Sequence, residues 1–154
     1  MPLEIGSTAP HVELPGDAGQ FYKLSDYEGK KVVLYFYPKD DTSGCTAEAC
    51  DFRDRLRDFN IMNAVVLGIS RDNLKSHEKF KKKYGLTFPL LADEDGAVCA
   101  AYETWVEKSM YGKKYFGIER STFLIDGLGV IRRIWRKVKV SGHAQEVFKA
   151  IQEI

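Results

Sequence analysis

Two cysteines lie five residues apart at the start of a predicted helix. Residues 35–50 run from an apolar, strand-like stretch through Pro38 and a polar turn that contains Gly44; a helix follows, with Cys45 among its first residues and Cys50 about a turn and a half later. The first turn of a helix presents unpaired backbone N–H groups and the positive end of the helix dipole. Because both stabilise a thiolate, this position predicts that Cys45 is a nucleophile at neutral pH.

The spacing of the two cysteines predicts how they could react with each other. Five residues of α-helix give a rise of about 7.5 Å and a rotation of about 140°, which separates the two Cα atoms by roughly 8–9 Å. A disulfide needs Cα atoms within about 7 Å of each other. Cys45 and Cys50 therefore cannot bond within an intact helix, and we expect the first turns of the helix to unwind if they do.

Both cysteines also have interpretations that involve no catalysis. Cysteine is often buried as a small apolar residue, and Cys50 shares a pattern with Phe52, Leu56 and Phe59 that is equally typical of a protein core. Cys45 belongs to no apolar run, so this interpretation is weaker for it. The spacing of the pair is at the loose end of zinc-finger spacing, and because no second pair of ligands follows, we expect no metal site.

The residues around Cys45 resemble a known active-site motif. Pro38-x-x-x-Thr42-x-x-Cys45 is similar to the motif of peroxiredoxins, the thiol peroxidases of the thioredoxin-like superfamily. The longer string, with Cys50 and the Phe-Arg-Asp that begins at Phe52, resembles the peroxiredoxin Q or bacterioferritin comigratory subfamily. Further matches are spread over nearly the whole chain, at residues 9–10, 14–15, 29–30 and 117–126.

The resemblance implies a role for each residue of the motif. Cys45 would be the cysteine that attacks the peroxide, and Cys50 the cysteine that resolves the product. The Thr42 hydroxyl could donate to the thiolate and accept from a peroxide O–H. Pro38, which has a fixed φ and no N–H, would wall the thiolate from water, and Gly44 would contribute to the substrate pocket.

Outside the motif, Arg120 is the candidate for a fixed positive charge. It precedes a predicted strand and occupies the position of the family's active-site arginine, and a guanidinium stays charged. Composition alone favours a surface arginine paired with Glu119 or Asp126. Glu48 also matches a family position and would orient Arg120. Ser43 stands where many members have proline, a position that carries no catalytic group.

The resemblance implies a thioredoxin-dependent peroxidase. The Cys45 thiolate would reduce hydrogen peroxide or an alkyl hydroperoxide and become a sulfenic acid, and Cys50 would then form a Cys45–Cys50 disulfide that thioredoxin, or alternatively a glutaredoxin, reduces. No metal, flavin or haem cofactor is implied, and the subfamily is often monomeric. The alternative is a redox sensor of the same fold that does not turn over. A reductase or isomerase would need a C-x-x-C motif, which the sequence lacks.

Length and composition predict one compact domain, 1–154. A net charge of +1 gives no electrostatic reason to expect nucleic acid or an anionic membrane as a partner. No stretch approaches 18 apolar residues, and the N-terminus lacks a signal-peptide pattern. Three cysteines, in a domain too large to need disulfides, favour a reducing compartment. We therefore expect a cytoplasmic protein.

The order of the elements predicts an α/β thioredoxin-like fold, with a central mixed sheet flanked by helices and an N-terminal β-hairpin extension. Residues 32–36 and 64–69 are continuous β-branched, aromatic or aliphatic runs, typical of parallel strands buried on both faces. The cysteine helix joins them through a right-handed crossover. Functional sites lie beyond the carboxyl ends of such strands, which is where Pro38 and Cys45 fall.

The other elements follow from turn and cap signals. Residues 11–14 and 21–24 predict the N-terminal hairpin, and Ser25 with Glu28 forms a capping-box pattern for a short helix that ends at Gly29. Asp72 or Asn73 caps a helix that runs to residue 84. Residues 122–125 and 130–135 predict an antiparallel hairpin, and a helix from about residue 143 closes the chain.

Three features indicate structure rather than further chemistry. Cys99 lies in a patch of small residues and is expected to be a packed thiol. The acidic turn at residues 93–96 resembles half of a calcium loop, but Tyr102 replaces the required glutamate. The basic and aromatic stretch 132–139 alternates in the manner of an edge strand with charged outward positions, so we do not expect it to bind nucleic acid.

Overall fold

Strands and helices alternate along much of this computed structural model, which describes residues 2–154. The strands are β1 (Glu13–Pro15), β2 (Phe21–Lys23), β3 (Lys31–Phe36), β4 (Ala64–Ser70), β5 (Leu90–Ala92), β6 (Trp105–Met110), β7 (Lys113–Ile118), β8 (Ser121–Ile125) and β9 (Ile131–Trp135). The helices are α1 (Ser43–Ile61), α2 (Leu74–Tyr84), α3 (Ala97–Ala101) and α4 (His143–Gln152).

Five of the strands form a mixed sheet in the order β5-β4-β3-β8-β9. β3 and β4 are parallel and α1 joins them, as the sequence predicts, and β5 continues the parallel part. β8 and β9 form the predicted antiparallel hairpin, and β8 runs antiparallel to β3. The prediction of a central mixed sheet flanked by helices is therefore confirmed. The short strand β5 was not predicted, because its three residues carry no periodic signal.

Alternate residues of β3 face two separate cores. Val33 and Tyr35 pack into a cluster with residues of α1, α2 and α4, whereas Val32, Leu34 and Phe36 pack into a second cluster with α3 and β8. Because both faces are covered, every residue of the strand after Lys31 is buried. Burial on both sides fixes the position of the loop that leaves the end of β3, and this loop leads to Cys45.

The N-terminal hairpin is present but shorter than predicted. β1 and β2 contain three residues each, and a 3₁₀ turn at Asp17–Gly19 lies between them. The capping-box prediction for Ser25 and Glu28 is wrong. Leu24–Tyr27 forms a single 3₁₀ turn in which Ser25 is an internal residue, and no side chain caps it. Because Lys23 is the N-cap of this turn, Ser25 is not at the position from which a capping side chain acts.

Helix α2 has the predicted ends. Asn73 is its N-cap, with Oδ1 accepting a hydrogen bond from the Ser76 N–H at 2.9 Å, and Gly85 ends it with a left-handed φ of 61°. Between β5 and β8 the chain forms α3 and the two-stranded hairpin β6–β7, which is separate from the main sheet. Within residues 2–154, no helix combines the length and the apolar character that crossing a membrane requires.

Candidate active site

Cys45 is the third residue of α1 and is almost completely buried. Six residues separate the end of β3 from the start of the helix, and the last of them, Thr42, is the N-cap. The Thr46 N–H donates to the Thr42 carbonyl at 2.8 Å, while the N–H groups of Gly44 and Cys45 have no hydrogen-bond partner among the described residues. The Cys45 sulfur is thus held at a helix N-terminus whose first N–H groups are free to stabilise negative charge.

The pairing of β3 with β8 brings Arg120 to Cys45. Phe36, the last residue of β3, lies opposite Ser121, so the residue that precedes β8 is adjacent to the loop that leaves β3. Arg120 Nη2 donates to Cys45 Sγ at 3.2 Å, and Arg120 Nη1 donates to Glu48 Oε1 at 2.7 Å. One guanidinium therefore contacts the thiol and a carboxylate from the next turn of the same helix.

Arg120, Glu48 and Cys45 lie close enough for the charge of each to affect the pKa of another. Burial raises the pKa of the Glu48 carboxyl to about 7, and the Arg120 guanidinium only partly opposes that increase. Burial acts to lower the pKa of Arg120, but Glu48 and Cys45 outweigh it and the pKa is raised. Glu48 Oε2 and the hydroxyl of the adjacent core residue Tyr35 have no partner in the described part of the chain. Arg120 is therefore a permanent cation, whereas Glu48 titrates near neutral pH.

Gly44 lies against Arg120, and Pro38 lines a surface groove. A Cβ placed on Gly44 would lie 3.2 Å from Arg120 Nη2, so the bare backbone of the glycine leaves room for the guanidinium. Pro38 lines an open groove of about 420 Å³, opposite the β6–β7 hairpin.

The Thr42 hydroxyl is not hydrogen-bonded to Cys45 in the described part of the chain. Thr42 Oγ1 donates to the Lys39 carbonyl at 2.8 Å, and this is its only hydrogen bond among the described residues. Since a hydroxyl that donates once still has two lone pairs, Thr42 remains able to accept a hydrogen bond from a peroxide O–H.

Cys50 lies on the same uninterrupted helix as Cys45. Both thiols are free, and Cys50 is partly exposed. Because α1 is continuous from Ser43 to Ile61, the two sulfurs are in the arrangement that the spacing argument predicts, too far apart to bond without unwinding of the helix. Cys99 is fully buried, and burial raises its pKa well above the ordinary value for a thiol. It is therefore a packed thiol in this state.

A buried polar network that the sequence did not reveal anchors the loop between β3 and α1. Asp40 accepts hydrogen bonds from the Tyr37 hydroxyl at 2.5 Å and the Ser76 hydroxyl at 2.8 Å, and its Oδ2 lies 2.7 Å from His77 Nδ1. The Asp40 N–H donates to Asp72 at 2.8 Å. Nothing in the spacing of Asp40 and His77 along the sequence indicates that these two residues meet.

Asp40, Asp72 and His77 could in principle offer ligand atoms to a metal ion. However, His77 Nε2 is already bonded to the Leu91 carbonyl at 2.9 Å, and Asp72 Oδ2 accepts from the Ser70 hydroxyl at 2.8 Å. Each of these side chains thus has partners within the protein. The geometry indicates a clamp that fixes the active-site loop on α2.

Comparisons with known proteins show the family to which the chain belongs. The AhpC/TSA family model matches residues 5–134. The chain is 51% identical to peroxiredoxin Bcp of Bacillus subtilis, with coverage of 100% of this chain and 98% of the relative. It is 41% identical to peroxiredoxin Bcp of Escherichia coli, with coverage of 99% and 97%.

Solved structures that superimpose on this chain include peroxiredoxin Q and bacterioferritin comigratory proteins. A mutant of Xylella fastidiosa PrxQ superimposes with a TM-score of 0.94 at 44% identity, covering 99% of this chain and 98% of that one. A Xanthomonas campestris bacterioferritin comigratory protein, studied for its alkyl peroxide reduction activity, gives a TM-score of 0.90 at 44% identity, with coverage of 98% and 96%.

Proposed function

This chain belongs to the AhpC/TSA family and is a thiol-dependent peroxidase of the peroxiredoxin Q/Bcp type, and we propose that Cys45 is the residue that reduces the peroxide. The contact of 3.2 Å between Arg120 Nη2 and Cys45 Sγ is the observation that carries the proposal. It places a permanent positive charge against a buried sulfur at a helix N-terminus, an environment that favours the reactive thiolate.

In the first step the Cys45 thiolate attacks one oxygen of a hydroperoxide. An S–O bond forms and the O–O bond breaks, so that sulfur is oxidised to a sulfenic acid while the other oxygen leaves as hydroxide or alkoxide and takes a proton from solvent. Arg120 and the free N–H groups of Gly44 and Cys45 stabilise the charge that develops on the leaving oxygen. The Thr42 hydroxyl oxygen accepts a hydrogen bond from the O–H of the peroxide and so orients the peroxide.

In the second step Cys50 resolves the sulfenic acid. The first turns of α1 unwind, the Cys50 sulfur attacks the Cys45 sulfur, and water leaves as the Cys45–Cys50 disulfide forms. A dithiol protein then reduces this disulfide and becomes a disulfide itself. We propose thioredoxin as this reductant, with a glutaredoxin as the alternative, and an enzyme that acts as a monomer in the cytoplasm.

The substrates of the enzyme are hydroperoxides. Support for organic hydroperoxides comes from the Xanthomonas campestris relative, which was studied for alkyl peroxide reduction. The groove beside Pro38 is open and partly apolar, which suits an alkyl group as well as hydrogen peroxide.

A thiol count with peptide mapping tests the two-cysteine cycle. The chain has three free thiols, and one equivalent of hydrogen peroxide should reduce the count to one, with Cys45 and Cys50 in a single crosslinked peptide. Cys50→Ser should still consume one equivalent of peroxide without forming that crosslink. A count that stays at three would refute the peroxidatic role of Cys45.

Steady-state turnover separates the enzyme from a redox sensor. With NADPH, thioredoxin reductase and thioredoxin, peroxide should drive continuous NADPH consumption, and Cys45→Ser should abolish it. Oxidation of Cys45 without continuous consumption would instead favour a non-catalytic sensor. Consumption that persists in Cys45→Ser would show that another group reduces the peroxide.

A further inference from the structure

Lys108 on the β6–β7 hairpin is hydrogen-bonded to the end of β7, the strand that leads to Arg120. Lys108 lies opposite Tyr115 in the hairpin register, yet its ammonium donates to the carbonyl of Ile118, three residues further along β7. The side chain reaches that carbonyl by passing over Gly117, where a Cβ would lie 3.5 Å from Lys108 Cδ. The glycine leaves this path open, and the lysine is fixed to the backbone two residues before Arg120.

The Lys108 ammonium has no ion-pair partner among residues 2–154. Its hairpin neighbour Lys114, by contrast, lies 3.7 Å from Glu107. Lys108 borders the groove that Pro38 lines, together with Arg71, Glu94 and Tyr115. The charged groups that act on Lys108 from the elements packed against it are Arg120, Glu119 and Cys45. Lys108 is therefore a partly buried cation bonded to the backbone two residues before Arg120, whose guanidinium contacts the Cys45 sulfur.

We propose that Lys108 is a second fixed positive charge of the active site, which stabilises the Cys45 thiolate and, through the Ile118 carbonyl, positions Arg120. This inference rests on the proposed function, because it assigns a role in peroxide reduction at Cys45. Of the three ammonium donors, one is used by Ile118, and the charge itself acts through space on the thiolate and on the leaving oxygen.

The surroundings of Lys108 give this role a pH signature. Burial and then the charge of Arg120 lower the pKa of Lys108, although Glu119 and Cys45 oppose them. The ammonium is present below that lowered pKa and is lost as the pH rises through it. Peroxide reduction should therefore decline at a lower alkaline pH than an ordinary lysine would impose. Arginine at this position would stay charged over the whole range.

The test compares Lys108→Met, Lys108→Arg and the control Lys113→Met, which removes the same charge from an exposed position on the same hairpin. The readout is kcat/KM for hydrogen peroxide from pH 6 to pH 10.5 at saturating thioredoxin. Lys108→Met should lower the value at pH 7 by roughly three- to ten-fold, the effect expected of one nearby charge. Lys108→Arg should retain it and lose the alkaline decline, and Lys113→Met should match the wild type.

Two outcomes would overturn the proposal. One is a Lys108→Met enzyme with the wild-type kcat/KM, and the other is a Lys108→Arg enzyme that keeps the wild-type alkaline decline, since another group would then be titrating. Circular dichroism and the crosslink from one equivalent of peroxide establish that each variant is folded. Failure of the proposed function is distinguishable, because the wild-type enzyme would then show no turnover at all.

Discussion

At the scale of single residues, the site depends on one guanidinium that contacts two partners. Arg120 reaches Cys45 with Nη2 and Glu48 with Nη1, and Glu48 lies on the turn of α1 that follows Cys45. The arginine is thereby oriented by the same helix that carries the nucleophile. A lysine, with a single nitrogen, could not contact both partners in this planar geometry.

Gly44→Ala should separate activity from stability. The added Cβ would lie 3.2 Å from Arg120 Nη2 and displace the guanidinium from the Cys45 sulfur. Gly44 does not have a positive φ, so the helix itself accepts alanine without strain. We expect kcat/KM for hydrogen peroxide to fall by about ten-fold, the loss expected when a charged hydrogen bond is weakened, with no decrease in the urea unfolding midpoint. A parallel loss of stability and activity would contradict this explanation.

The residues of the site differ in how far the sequence could predict them. Cys45 was predictable because a helix start is a local signal. Arg120 needed the family resemblance, since only the pairing of β3 with β8 brings it to the thiol. The role of Thr42 also came from the family motif, and the sequence did not indicate that its hydroxyl donates to the Lys39 carbonyl. The bond between Asp40 and His77 joins a loop to a helix that is distant in the sequence, and no periodic pattern of residues predicts such a contact.

At the scale of elements, the proposed Cys45–Cys50 disulfide requires α1 to release its first turns while the loop before it stays in place. Two residues of that loop, Asp40 and Asp41, are bonded to α2. Asp40 is bonded to His77 at one end of α2, and Asp41 lies 2.9 Å from both Lys83 Nζ and the Tyr84 hydroxyl at the other. The boundary between the fixed loop and the mobile turns is then expected near Thr42, the N-cap of α1.

Hydrogen exchange should show this boundary. Oxidation by one equivalent of peroxide should cause the amides of residues 46–50 to lose protection, because the disulfide cannot form in an intact helix. The amides of α2 should keep theirs. Cys50→Ser, which stops at the sulfenic acid, should show no such loss. Unchanged protection in the oxidised wild-type protein would mean that the disulfide, if present, forms without unwinding.

His77→Gln should loosen the clamp. Glutamine can replace only one of the two ring-nitrogen bonds, so either Asp40 or the Leu91 carbonyl loses its partner in a buried site. We expect a loss of roughly 1–3 kcal/mol in the free energy of unfolding and a several-fold lower kcat/KM. Ser76→Ala, which removes one weaker bond to Asp40, should have a smaller effect on both. Equal effects of the two variants would argue against His77 as the principal anchor.

At the scale of the whole molecule, the fold was predictable because long buried strands carry a strong signal. Val32 to Phe36 and the following helix specify a parallel crossover, and the β8–β9 hairpin closes the sheet on the other side of β3. The ends of short elements were less predictable. The 3₁₀ turn around Ser25 and the three residues of β5 depend on tertiary contacts rather than on local pattern.

Two buried groups give the stability of the whole molecule opposite dependences on pH. Burial lowers the pKa of His143 from 6.5 to about 4, with Nε2 placed 2.8 Å from the Thr122 hydroxyl. The unfolded chain therefore binds the proton more readily, and stability is lost as the pH falls below 6.5. Burial raises the pKa of Glu48 from 4.5 to about 7, so its contribution is present below pH 4.5 and is lost as the pH rises through 7.

The pH ranges over which His143 and Glu48 change the stability overlap, so their opposite effects partly cancel in the wild-type protein. Variants that remove one group at a time should reveal each effect separately. Between pH 4.5 and 7, Glu48→Gln should leave only the His143 dependence, so its stability rises with pH more steeply than that of the wild type. His143→Gln should leave only the Glu48 dependence and become less stable as the pH rises. Each difference should amount to about 2–3 kcal/mol across the window, measured by urea unfolding. Parallel stability curves for all three proteins would show that neither group has a shifted pKa in the folded state.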